Sequence, residues 1–124
     1  MYKAILVGAN INNDQMMEYY MDELKNLALA SNVEVLYSMT QSVKSITPKF
    51  YIGSGKVEEI KTFIDNLEAD VVIFNNELSG SQIRNLEEAL GVRVVDRTLL
   101  IIDIFIRRAK TKEAMLQVEI AQLN

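Results

Sequence analysis

Gly53-Ser54-Gly55-Lys56 is the stretch of this chain whose residue types converge most clearly on an anion. Two glycines ahead of a helix let backbone N–H groups turn toward a phosphate, and the lysine adds a point charge. The stretch departs from a P-loop, which needs Gly, four residues, Gly-Lys and then Ser or Thr. Phe50 stands where the first glycine belongs, and Val57 replaces the magnesium-binding hydroxyl. Two readings stay open for Gly53, Ser54, Gly55 and Lys56: a phosphate-binding nest, or a tight turn joining a strand to a helix.

The second concentration of charge is Arg107-Arg108-Ala109-Lys110-Thr111-Lys112. It reads either as a solvated helix face or as a contact for RNA phosphates, whose strength would fall steeply with salt. No aromatic residue interleaves the run, so base stacking is not indicated. Other chemistry is closed off by composition. With no His and no Cys, a Ser-His or Cys-His nucleophile pair cannot be built, nor can the usual zinc sites or a disulfide. A phosphoacceptor needs an aspartate after the central strand, and Asn75 and Asn76 occupy that loop. The net charge of −4 argues against a surface basic throughout, although not against a local basic patch.

The elements that must position these residues alternate. Lys3 to Val7 is an apolar run ending at Gly8, the pattern of a buried strand. After a polar loop with Asp14 as a helix cap, Met17, Tyr20, Met21, Leu24, Leu27 and Ala28 recur at helical spacing. Val33 to Met39 reads as a second strand, Thr40 to Lys49 as loop, and Phe50 to Ile52 as a short third strand. A helix follows with Val57, Ile60, Phe63, Ile64 and Leu67 inside. Val71 to Phe74 is a strand. Ser79 and Gln82 form a capping box for a helix that buries Ile83, Leu86, Ala89 and Leu90 and stops at Gly91. Val92 to Val95 is the last strand, with Asp96 as the cap of the final helix. Such alternation predicts an α/β fold, a small doubly wound and mainly parallel sheet over residues 1–96. Ligands of such sheets sit outside the carboxyl ends of the strands, here Gly8 to Asp14, Gly53 to Lys56, Asn75 to Ser79 and Asp96 to Thr98.

Residues 97–124 read as one long helix. Leu99 to Ile106 is apolar almost all round and should pack against the sheet. Ile102, Ala109, Leu116 and Leu123 then fall at sevens, flanked by Ile106 and Ile120, a seam that wants a partner helix. That spacing is unfinished at Asn124, the pattern of a domain cut from a longer protein, although Asn124 could itself cap the helix. A hairpin partner supplied by further residues is expected, with self-association through the exposed helix as the alternative. The sequence offers no membrane span and no secretion signal, so the cytoplasm is the default.

Three blocks carry a family resemblance that covers the whole chain. They are Tyr51-Ile52-Gly53-Ser54-Gly55-Lys56-Val57-Glu58-Glu59; Asn76-Glu77-Leu78-Ser79 with Arg84-Asn85-Leu86-Glu87; and Asp96-Arg97-Thr98, Leu100 to Phe105, Arg108-Ala109, Thr111, Glu113 and Leu116 to Leu123. Together they resemble the N-terminal domain of the HflX family of ribosome-associated GTPases. The resemblance implies an α/β domain, then a long helical hairpin, then a GTP-binding domain that hydrolyses GTP with magnesium. It also implies association with the large ribosomal subunit and, in some members, splitting of stalled or stressed ribosomes. Arg97, Arg107, Arg108, Lys110 and Lys112 become candidate rRNA contacts, and Ile102, Ile106, Ala109, Leu116, Ile120 and Leu123 become hairpin packing. ATP binding, credited to this region in some members, would fall to Gly53 through Lys56. The family usually has Glu-Gly-Lys where this chain has Glu113-Ala114-Met115. These 124 residues hold no GTP-binding domain, so no GTP hydrolysis and no cofactor is expected of them alone. An ATP-dependent activity of the domain itself and a self-associating structural domain are the competing readings.

Overall fold

Ala4, Ile5, Leu6 and Val7 have no solvent exposure at all, which demands cover on both faces of their strand. The computed structural model, which describes residues 1–107 and Ala109, supplies it. The order is β1 (Tyr2–Ile11), α1 (Met17–Ala30), β2 (Val33–Val43), α2 (Ser54–Leu67), β3 (Val71–Phe74), α3 (Gly80–Leu90) and β4 (Arg93–Asp96), followed by a helix over residues 97–107, α4. The four strands form one parallel sheet in the order β2-β1-β3-β4. Ile5, Val7, Val72, Phe74 and Val94 pack under α2 and α3. Ala4, Leu6, Ile73 and Val95 pack under α1 and α4 through Met21, Leu24, Ala28 and Leu100. The α/β, doubly wound architecture expected from the alternation is the one observed.

Four local expectations need correction. β1 runs past Gly8 to Ile11, and β2 past Met39 to Val43, because their polar ends pair with one another, Gly8 with Thr40 through Ile11 with Val43. Phe50 to Ile52 is no strand of the sheet. Thr47 and Tyr51 instead close a turn around Pro48 with reciprocal backbone bonds of 3.2 and 2.9 Å, and Tyr51 takes a φ of 70°. Its apolar residues plug the core under α2, with Ile52 fully buried, so their hydrophobicity reflects burial rather than pairing. Tyr20, Leu67 and Ala89, expected inside, lie on exposed flanks. Finally, α4 is not packed all round. Leu100 is buried and Ile104 half-buried, whereas Leu99, Ile101, Ile102, Phe105 and Ile106 are exposed, Phe105 by 74%.

Gly8 is where α1 comes closest to the sheet. A Cβ at that position would lie 2.6 Å from Met21 Sδ and collide with Met17 Cε, so the absent side chain lets both thioethers rest on β1.

Candidate functional site

The carboxyl edge of the sheet is where an open α/β fold binds its ligands, at the point where successive connections leave in opposite directions. That point lies between β1 and β3, and a side chain closes it. Asn76 Oδ1 accepts from the Ala9 N–H at 2.8 Å, and Asn76 Nδ2 donates to the Ala9 carbonyl at 3.0 Å. The amide thus extends the β1–β3 ladder by one rung. The neighbouring Asn75 N–H donates to the Val7 carbonyl at 2.8 Å. A phosphate or ribose would have to displace this pairing to enter between the strands.

Asp96 and Arg97 bind the rest of that edge together. Asp96 is 3% exposed. Its Oδ1 accepts from the Leu99 N–H at 2.9 Å, capping α4, and its Oδ2 accepts from the Leu78 N–H at 3.0 Å. One carboxylate therefore fixes both the start of α4 and the loop before α3. Arg97 donates from Nε and Nη2 to Asn75 Oδ1 at 2.9 and 2.6 Å, and from Nη2 to the Tyr20 carbonyl at 2.6 Å. Its Nη1 pairs with Glu23. The planar fork thus ties α4, α1 and the β3–α3 loop at one point.

The Gly-Ser-Gly-Lys stretch is not a loop. Gly53 is the cap of α2, with φ −70° and ψ 153°, and Ser54 begins the helix. The Lys56 and Val57 N–H groups both donate to the Gly53 carbonyl at 3.1 Å. Lys56 Nζ lies 3.3 Å from Glu59 Oε2. Beside this turn a shallow cavity of about 300 Å³ is lined by Phe50, Ser54, Val57, Glu58, Lys61 and Ala89.

Among the basic candidates, Arg107 donates to Asp103 Oδ2 at 3.0 Å, and the Ser31 hydroxyl donates to the same oxygen at 3.0 Å. Ile102 and Ile106 face solvent and Ala109 is half-buried. Arg108, Lys110, Lys112, Leu116, Ile120 and Leu123 lie outside the described residues. The structure therefore groups Arg97 with α1 and the β3–α3 loop, and sets Gly53 to Lys56 at a separate place on α2. Sequence reasoning put Asn75 and Asn76 in a candidate ligand loop without a role for either side chain, and missed Glu23; the partners of all three are distant in sequence. The only available signal was the pair of asparagines directly after a buried strand.

Comparison with known proteins decides the family. Residues 18–106 match the family described as GTP-binding GTPase N-terminal. The chain belongs to it. It is 54% identical over 122 residues to the GTPase HflX of Caldanaerobacter subterraneus subsp. tengcongensis, covering 98% of this chain and 28% of that protein. The HflX of Escherichia coli is 44% identical over the same length and shares. The chain thus spans 28% of the length of these curated relatives. Among solved structures, the complex of SsGBP with GDP superposes with a TM-score of 0.71 at 29% identity, covering 99% of this chain and 34% of that one. The catalytic domain of an IS607-like serine recombinase has a TM-score of 0.55 at 17% identity, with 98% of this chain and 97% of that chain covered; that likeness is one of fold alone. No described helix is long and apolar enough to cross a membrane.

Proposed function

We propose that this chain is the ribosome-docking N-terminal domain of an HflX-type GTPase acting on the large subunit, with stalled or stressed ribosomes as the substrate of the whole protein. The observation that carries this reading is the 54% identity to an HflX GTPase across 98% of the chain. GTP and magnesium belong, on this reading, to a domain downstream of the hairpin. The sealed Asn76–Ala9 junction supports that division, because it leaves the sheet's usual nucleotide crevice paired. α4 begins the first arm of the hairpin, with Ile102, Ile106 and Ala109 toward the return helix. Arg107, Arg108, Lys110 and Lys112 contact rRNA phosphates. Arg97 drops out of that set, since its guanidinium is spent on Asn75, Tyr20 and Glu23.

Arg107→Glu with Arg108→Glu in the full-length protein tests the reading by co-sedimentation with large subunits. Affinity should fall at least tenfold, and the log–log salt slope should become shallower by about 1.5, as two phosphate contacts are lost. Unchanged affinity and slope would remove the rRNA assignment.

A second reading, ATP held at the first turn of α2, is favoured by the cavity beside Ser54 and by the open space at Gly53 and Gly55. It requires Lys56 to leave Glu59. Titration with magnesium-ATP and magnesium-GTP, followed by amide shifts, separates the two. The docking reading expects no localised shifts, and saturable shifts at Gly53 through Lys56 would establish the nucleotide site.

A further inference from the structure

The outer surface of α1 and its N-cap carry large exposed side chains. Met16 is 48% exposed, Tyr19 57% and Tyr20 36%, and the two tyrosine rings meet edge to face with centroids 5.9 Å apart. Aromatic and methionine side chains are enriched at interaction surfaces relative to the rest of a protein's surface. On the side toward β2 the same helix borders a groove of about 340 Å³. Met17, Met21 and Met39 contribute to its lining, Ser38 and Thr40 form the β2 wall, and Glu18 and Asp22 form the α1 wall. Helical spacing puts Asp22 and Glu23 one turn beyond Tyr19, and Glu18 one turn before Asp22, so carboxylates flank both the ring and the groove. Neither Glu18 nor Asp22 forms an ion pair among the described residues, and β2 is an edge strand.

We propose that this surface docks a basic, extended segment of a partner protein, with a long cationic side chain lying in the groove. Charge complementarity selects this occupant. The aliphatic stem of an arginine matches the thioethers, its guanidinium reaches the carboxylates of Glu18 and Asp22, and a second arginine stacks on Tyr19. Nucleic acid carries the wrong charge for this face, and the groove shares no lining residue with the cavity beside Arg107. This inference is independent of the proposed ribosomal function.

The test titrates the 124-residue chain with a peptide of alternating arginine and alanine, read by amide shifts. Saturable shifts are expected at residues 10, 16–23 and 38–40, weakening as salt rises. Affinity should drop about tenfold in Glu18→Gln with Asp22→Asn, and severalfold in Tyr19→Ala. Glu58→Gln with Glu59→Gln on α2 should leave it unchanged, which separates this groove from general acidity. A lysine–alanine peptide should bind more weakly than the arginine one. Shifts spread over all acidic residues, equal losses in both carboxamide pairs, no saturation, or the same amides moved by an RNA oligonucleotide would each overturn the proposal.

Discussion

Asp96→Ala should destabilise the domain by about 3 kcal/mol, the sum of a lost helix cap and a buried N–H left without its acceptor. The carboxylate is 3% exposed and serves two backbone groups at once, Leu99 N–H within α4 and Leu78 N–H across the edge of the sheet. Alanine removes both acceptors, and water reaches the buried Leu78 N–H poorly. Asp96→Asn retains one oxygen and should cost about half as much, since asparagine caps helices well but offers an NH₂ where the second acceptor stood. Urea unfolding followed by circular dichroism gives both numbers. An alanine variant within 1 kcal/mol of the parent (on the order of a single exposed cap) would mean that the Leu78 bond contributes little.

Arg97 should tolerate lysine almost as poorly as alanine, each costing about 2 kcal/mol. The ion pair with Glu23 accounts for little of this, because Glu23 is 46% exposed and solvent screens it. The cost lies in Asn75 Oδ1 and the Tyr20 carbonyl, both held by one planar fork. An ammonium cannot span acceptors on α1 and on the β3–α3 loop together. Thermal melting separates the roles: a phosphate contact would be largely preserved by lysine, whereas a clamp would not. Both variants should melt about 8 °C below the parent. A lysine variant as stable as the parent would return Arg97 to the list of surface cations.

Local chemistry was legible where its partners are local. The Ser79–Gln82 capping box, the left-handed Gly91 after α3 with φ 73°, and the Asp96 cap are all present in the form their spacing implied. The unbroken runs at Ala4 to Val7 and Val71 to Phe74 gave away two-sided burial. Phe50 to Ile52 misled because a short apolar run looks the same whether it pairs in a sheet or plugs a core. The polar ends of β1 and β2 hid because each is held by the other and not by its own pattern. The exposed face of α4 misled differently, since a run that is apolar all round does not say which side meets the sheet, and it is Leu100 and Ile104 that pack there. Asn76 and Arg97 were opaque for a simpler reason. Their partners lie 67 and 77 positions away, and no periodicity carries that distance.

The strand order has a consequence for how the chain is made. β1 sits between β2 and β3, so a strand made before both of its neighbours borders an early one and a late one. β1, α1 and β2 form a contiguous unit that assembles from nearby residues, yet β3 follows the end of β2 only after roughly thirty residues. At ~5–20 residues per second, one flank of this central strand stays unpaired for ~2–6 s of vectorial synthesis. Asn76 emerges just behind β3, and the rung it adds to Ala9 is the latch that closes that interval.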